Sequence, residues 1–294
     1  MRLTLALLLC FLSACWSPAG CAQIKLFVSV LPLKHFVERV GGEHVDVESM
    51  VQPGHSPATY EPTPRQMADL AEANAFVRIG APFETVWMER IEAANPGLMV
   101  IDVRKGIELI PMKTKALDPG NAANNADSHS YSGLDPHIWL DPMVVRQIAA
   151  TVRDYLLEID PVNRDSYESN TDRFIADLIE LDTNIRGLTE RAESRRFLVF
   201  HPAWGYFSRA YGLEQLAVEH EGKEPGPRAL ARLIEMIQRE GISTIFVQKQ
   251  FSDRIAATLA AEIGGRVVAL DPLAEDYFVN LLEAARAISG SGDP

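Results

Sequence analysis

Short apolar segments rich in β-branched residues alternate with longer amphipathic stretches along this chain, and the alternation occurs in two separate sets. Such an alternation is typical of parallel sheets with helices packed on their faces. The first set predicts strands at 24–30, 45–51, 75–80 and 98–102, and the second predicts strands at 197–200, 213–219, 244–247 and 266–270. The pattern therefore predicts an α/β protein with two mostly parallel sheets, one in each of two lobes.

Helical stretches separate most of the predicted strands, with none predicted between 197–200 and 213–219, and one helical stretch is unusually long. Between 162 and 192, apolar residues from Tyr167 to Leu188 recur at three- or four-residue spacing and form one stripe. A helix of that length extends roughly 45 Å, which suits a helix that links two lobes. A break near Gly187 is the alternative. We predict a leader at 1–22, an N-terminal lobe at 23–160, a linking helix at 161–192 and a C-terminal lobe at 193–294.

The N-terminus has the pattern of an export signal. Arg2 precedes an apolar run at 3–12 that is too short to span a bilayer. Two processing sites follow: a lipobox-like sequence that ends at Cys15, and a small-residue cleavage site around Cys21. Both predict a location in the periplasm or on the outer face of the membrane, and the first adds a lipid anchor at Cys15.

Composition argues against nucleic-acid binding and against cysteine as a metal ligand. The net charge of −12 argues against nucleic-acid binding. All three cysteines, Cys10, Cys15 and Cys21, lie in the predicted leader, so the folded body offers no disulfide and no thiolate ligand.

Residues able to bind a metal ion lie after predicted strands. His201 and Asp271 directly follow strands, His55 lies in the loop after 45–51, and His137 follows a long loop at 105–135. Ligands in open α/β sheets bind at the carboxyl ends of strands, so a cleft between the lobes could gather all four side chains. Imidazole and carboxylate ligands suit Zn²⁺ and are acceptable for Mn²⁺. Without cysteine, the site is expected to release its ion readily.

Five segments of this chain together resemble the periplasmic zinc- and manganese-binding proteins that serve ABC-type importers. The segments are GHSPATYEPTP at 54–64, DPHIWLDP at 135–142, FHPAWGYF at 200–207, EPGP at 224–227 and LDPL at 270–273. The resemblance covers nearly the whole chain after the leader. It implies two lobes joined by a rigid helix, one metal ion in the cleft, and His137, His201 and Asp271 as ligands.

The chain departs from the family pattern at the first ligand. Where the family has histidine in the first loop, this chain has Ala58, so His55, Glu61 or a water molecule is expected to complete the site. The resemblance also implies that a histidine at the position of His201 favours zinc over manganese.

We therefore predict a monomeric receptor, not an enzyme, that binds a divalent metal ion, zinc first and Mn²⁺ as a possibility. Its partner is an ABC-type metal permease. A lipid-anchored metal-binding adhesin or metallochaperone, a metal-dependent hydrolase and a receptor for a non-metal solute are the alternatives.

Overall fold

Two four-stranded parallel sheets form the framework of the molecule, as predicted. The computed structural model describes residues 23–112, 133–219, 225–250 and 253–290. The leader with Cys15 and Cys21, most of the predicted loop at 105–135, and the start of the segment at 224–227 lie outside these residues. The strands of the first sheet are β1 (Ile24–Val28), β2 (Val45–Ser49), β3 (Ala75–Arg78) and β4 (Met99–Asp102). Those of the second are β5 (Arg196–Val199), β6 (Glu214–Ala217), β7 (Thr244–Val247) and β8 (Arg266–Ala269).

Helices connect the strands and cover the sheets. In the first lobe they are α1 (Leu31–Gly41), α2 (Pro64–Leu70) and α3 (Pro82–Ala94), followed by α4 (Pro142–Ile159) and α5 (Arg164–Thr189). In the second lobe they are α6 (Gly205–Tyr211), α7 (Pro227–Glu240), α8 (Asp253–Ile263) and α9 (Tyr277–Ile288). Among these, α6 was not predicted: its seven residues are too few to establish a helical period, and it lacks the N-terminal proline that marks the start of the equally short α2.

The two sheets share one topology. Their strand orders are β2-β1-β3-β4 and β6-β5-β7-β8, with every pair parallel. In each sheet the order reverses between the first and third strands, at β1/β3 and at β5/β7. Ligands of open parallel sheets bind beyond the carboxyl ends of strands at such a switch point. The topology therefore places the segments after β3, β5 and β7 where a ligand is expected.

Helix α5 is one continuous helix of 26 residues that runs through Gly187, so the alternative of a break there is wrong. Its predicted apolar stripe is buried against α1, α4 and α9. The helix is about 39 Å long at 1.5 Å per residue. Its length and packing agree with the predicted linking helix, while the boundaries proposed for the lobes stay a prediction.

The last helix ties the second lobe back to the first. The ring of Tyr277 in α9 meets the ring of Phe36 in α1 edge-on, with centroids 4.8 Å apart. The Tyr277 hydroxyl donates a 2.7 Å hydrogen bond to the carbonyl of Trp139, and the Trp139 indole donates another of 2.7 Å to the carbonyl of Pro272. Since all these groups are buried, the contacts hold the segment after His137 against the segment after Asp271.

Candidate metal centre

His137 is held in place by its own turn. It precedes the short 3₁₀ turn Ile138–Leu140, and Asp141 then caps α4 by accepting the backbone N–H of Met143 at 2.9 Å. The residue is 9% exposed, and the Trp139 ring lies 5.1 Å from its ring, centroid to centroid. The turn and the buried indole therefore restrict the orientation of the imidazole.

A buried carboxylate sets the tautomer of His137. The Oδ1 atom of Asp135 lies 2.7 Å from Nδ1 of His137 and also accepts the backbone N–H of His137 at 2.9 Å. A carboxylate oxygen can only accept, so the ring proton is assigned to Nδ1 and the lone pair to Nε2.

His201 has the same arrangement in the second lobe. It lies two residues beyond β5, and its Nδ1 lies 2.5 Å from Oε1 of Glu219, which follows the neighbouring strand β6. The carboxyl ends of β5 and β6 therefore bring together an imidazole and a buried carboxylate that are 18 residues apart. By the same reasoning, the ring proton is on Nδ1 and the lone pair on Nε2.

The structure brings these two histidines together across the lobes. Their ring centroids are 5.5 Å apart with an interplanar angle of 71°. An imidazole that donates its second N–H to a carboxylate is the usual form of a histidine ligand, since this contact fixes the ring and raises its basicity. Two such imidazoles side by side form half of a tetrahedral zinc site.

Both histidines line a cavity of about 500 Å³ between the lobes. Ala58 and Ala81 line it from the first lobe, while Gln248 and Leu273 line it from the second. Ala58 thus lies at the cavity, as expected for the position where the resemblance implies a ligand.

Gln248, just beyond β7, is a buried polar residue that sequence reasoning missed. It is 3% exposed, and among the residues that the structure describes neither its amide nitrogen nor its amide oxygen has a hydrogen-bond partner. Leaving such a group unpaired costs about 1–3 kcal/mol. An unpaired amide that lines a cavity is able to form hydrogen bonds with a ligand in that cavity.

Asp271 lies outside this cavity in the structure. Its Oδ1 accepts the side-chain N–H of Gln250 at 3.2 Å and the backbone N–H of Leu273 at 3.0 Å. It lines a separate hollow of about 220 Å³, and Gln250 borders both spaces. The side chain of Gln250 therefore lies between the hollow of the Asp271 carboxylate and the cavity of the two imidazoles.

His55 and Glu61 lie elsewhere as well. Both line an open polar hollow of about 640 Å³, where the rings of His55 and Tyr60 meet with centroids 5.6 Å apart. Within the described part of the chain, no three His, Cys, Asp or Glu side chains lie close enough to hold one metal ion. Only His137 and His201 of the predicted ligands meet in this conformation, and the full ligand set stays a prediction.

The part of the cavity wall formed by Gly80 and Ala81 is fixed by a buried carboxylate, Glu84. Its oxygens accept the backbone N–H groups of Ile79, Gly80 and Ala81 at 2.9–3.1 Å and the hydroxyl of Ser29 at 2.6 Å. Gly80 has a φ of +85°, a conformation that favours glycine. The turn beyond β3 is therefore held rigidly at the cavity.

Sequence signals existed for two residues that our sequence reasoning overlooked. Asp135 lies two residues before His137, and Glu219 follows a strand just as His201 and Asp271 do. Applying the strand-end rule to every carboxylate identifies Glu219. Gln248 also follows a strand, but amides are poor zinc ligands and attract no attention in a search for metal sites.

Within the described ranges, no helix has the length and apolarity that a membrane span requires. The fold and the site define a two-lobed α/β binding protein with a histidine-lined cavity between its lobes. The chain belongs to the family described as "Zinc-uptake complex component A periplasmic", whose family model matches residues 26–290.

Similar proteins agree with this membership. The chain is 28% identical over 255 residues to the high-affinity zinc uptake system protein ZnuA of Bacillus subtilis, covering 85% of this chain and 79% of the relative. It is 27% identical to the zinc-binding lipoprotein AdcA of Streptococcus pneumoniae, covering 90% of this chain and 53% of that longer protein. A crystal structure of a zinc-bound ZnuA deletion mutant superposes with a TM-score of 0.83 and 38% identity, covering 92% of this chain and all of the other.

Proposed function

We propose that this protein captures a zinc ion outside the cytoplasm and delivers it to an ABC-type permease. One observation carries the proposal: His137 and His201 face each other across the lobes, each with Nδ1 at a buried carboxylate. Because Nδ1 of each ring is engaged, Nε2 is the nitrogen that each ring has left to coordinate an ion. Family membership supports the same function.

The third ligand is Asp271, and its recruitment needs only a local change. Breaking the 3.2 Å contact with Gln250 removes the side-chain partner of the carboxylate, while Oδ1 keeps the 3.0 Å bond from the backbone N–H of Leu273, which holds the segment in place. We propose that a donor from outside the protein completes the shell at Ala58, and that this donor is water when zinc is the only ligand supplied. His55 stays the protein alternative, since its loop includes Gly54, where φ is +81° and the surroundings are open.

Location and partners follow from the same function. The protein acts as a monomer in the periplasm or on the outer face of the membrane, and a lipid on Cys15 anchors it there; the lipoprotein name of the pneumococcal relative supports such an anchor. Mn²⁺ is a weaker second cargo, because imidazole nitrogen favours zinc in the Irving–Williams order.

The hydrolase alternative requires a general base beside a metal-bound water. The carboxylates nearest to the imidazole pair, Asp135 and Glu219, are each engaged by a histidine Nδ1. This engagement supports a binding protein rather than an enzyme.

A crystal grown with zinc tests the proposed site directly. Anomalous scattering at the zinc edge is expected to place one ion within about 2.0–2.1 Å of Nε2 of both histidines. The same map identifies the remaining ligands among Asp271, His55, Glu61 and water. An ion bound elsewhere, with both imidazoles uncoordinated, contradicts the proposal. Delivery is tested by zinc-limited growth, which we expect the wild-type gene to restore in a deletion strain and the His201→Ala gene to leave impaired.

A further inference from the structure

The cavity beside His137 and His201 has fewer protein donors than a zinc ion needs. Zinc in proteins takes four ligands, and within the described residues only these two imidazoles meet there. Asp271 opens onto a different hollow and is held by Gln250 and by the backbone of Leu273. The remaining donors must therefore come from a moving side chain or from outside the protein.

The cavity is also much larger than an ion with water requires. Its volume is about 500 Å³, whereas one water molecule takes about 30 Å³. Pockets of about 300–1,000 Å³ are typical of sites for small organic molecules. The space beside the imidazoles is therefore large enough for a small organic ligand.

The cavity walls favour an organic occupant over hydrated metal. Pro57, Ala58, Ala81, Trp139 and Pro272 present apolar surface to the space. Water molecules that lie against this apolar surface would find few hydrogen-bond partners there. Carbon atoms of a small ligand would instead cover it.

The polar groups of the cavity suit a carboxylate on that ligand. None of the described residues that line it is Asp or Glu, while Arg104 lines it and is fixed by hydrogen bonds of 2.8 and 2.6 Å to Asp102. Within the described part of the chain, the N–H groups of the buried Gln248 amide have no hydrogen-bond partner. Since two neutral imidazoles leave both positive charges of Zn²⁺, a ligand carboxylate would offset one of them beside the carboxylate of Asp271, and it would accept a hydrogen bond from this amide.

We propose that the cargo enters this cavity as a complex of zinc with one small amino-acid chelator, whose donors join those of the two histidines and Asp271 at the place left open by Ala58. The proposal rests on the proposed function and specifies the chemical form of its substrate. Ala58 is then the residue that leaves room for the chelator. The amino acid bridges the ion and Gln248 by its amine and carboxylate.

Equilibrium dialysis of metal-free protein with ⁶⁵Zn tests this, alone and with ¹⁴C-labelled L-histidine, L-cysteine or glycine. We expect at least one amino acid to be retained one-to-one with zinc, and zinc retention to be at least tenfold tighter with it than without it. The labelled amino acid alone is expected to bind at least tenfold more weakly.

Two substitutions at one position sharpen the test. Ala58→His supplies a third imidazole and fills the space, so it is expected to retain zinc alone at least tenfold more tightly and to lose the labelled amino acid. Ala58→Leu fills the space without a donor, so it loses the amino acid and gains no affinity for zinc alone. An Ala58→His protein that keeps the label as wild type does contradicts the assigned place of the chelator.

The dialysis outcomes distinguish failure of the chelate proposal from failure of the proposed zinc-binding function. Tight retention of zinc alone, with none of the three labels retained beside it, overturns the chelate and leaves a receptor for the bare ion. If no zinc is retained, either alone or with any of the three amino acids, both the chelate proposal and the proposed function are overturned.

Discussion

The imidazoles of His137 and His201 come from different lobes, and their ring centroids lie 5.5 Å apart. In each ring the lone pair is on Nε2. A buried carboxylate, Asp135 or Glu219, accepts from Nδ1 behind each ring. The two histidines are therefore oriented before any ion arrives, which lowers the cost of ordering them on binding. We therefore expect Asp135 and Glu219 to raise zinc affinity although neither carboxylate touches the ion.

Glu219→Gln tests the contribution of such a carboxylate. The amide keeps the size of the side chain but can donate to Nδ1, which would move the lone pair away from Nε2. We expect zinc affinity to fall by about 10- to 100-fold, measured by competition with a fluorescent chelator. Glu240→Gln is the control, since Glu240 pairs with Arg196 on the surface of the same lobe. Equal affinities in the two variants contradict the role given to Glu219.

His55→Ala separates the proposed ligand set from its alternative. In the structure the imidazole of His55 lies in the polar hollow with Tyr60 and not in the cavity of His137 and His201. We expect less than about threefold loss of zinc affinity, well under the 1.4 kcal/mol that a tenfold change represents. A loss as large as that of His201→Ala would instead assign His55 as the ligand that replaces the one missing at Ala58.

Gly205→Ala tests how the second lobe positions Asp135. A Cβ at Gly205, the first residue of α6, would lie 2.4 Å from Oδ2 of Asp135, so the carboxylate behind His137 must move. We expect zinc affinity to fall about tenfold by isothermal titration calorimetry. An unchanged affinity shows that Asp135 does not orient His137.

The matched control is Gly187→Ala in α5. A Cβ there meets nothing within 4 Å, so alanine is expected to raise the free energy of unfolding by roughly 0.5–1 kcal/mol. Chemical denaturation measures this change, and zinc affinity should stay at the wild-type value.

His35 predicts how stability depends on pH. Burial among Phe36, Phe174, Tyr277 and Phe278 lowers its pKa below the ordinary value of 6.5, and Arg39 lowers the pKa further, while Asp276 and Glu275 raise it in part. Its Nε2 is buried without a partner. The unfolded chain therefore takes up the proton at a higher pH than the folded protein does, so folding stability falls as pH drops below about 6.5.

Melting temperatures at pH 7.5 and pH 5.5 measure this loss. We expect the difference between the two to shrink in His35→Phe, which removes the titrating group and keeps an aromatic ring in the cluster. His55→Gln, at an exposed loop position, is the control and should keep the wild-type difference. If the melting-temperature difference between pH 7.5 and pH 5.5 is the same in the wild type and both variants, His35 does not cause the loss of stability at low pH.

The fold was largely predictable because its signals are local. Strands such as β7, predicted at 244–247 and found as Thr244–Val247, are short apolar runs, and α5 has a long apolar stripe. Helix α6 has neither, and it forms because Tyr206 and Phe207 pack into the core between the lobes. That packing depends on residues far away in the chain, which a local pattern does not register.

The site was predictable only in part, for a related reason. His137 and His201 could be found because their segments resemble a family and one follows a strand. The carboxylates behind them and the unpaired amide of Gln248 are defined by side-chain orientation, which strand-end placement does not provide. The separation of Asp271 and His55 from the imidazole pair is likewise set by contacts with Gln250 and Tyr60.

Zinc titration of the metal-free protein by calorimetry, beside His137→Ala and His201→Ala, tests the central claim most directly. The account predicts one zinc ion per molecule, in the absence or presence of an added amino acid, with affinity reduced at least 100-fold in both variants, or at least about 2.7 kcal/mol. Wild-type affinity in either variant would show that the paired imidazoles do not hold the ion, and would contradict the account.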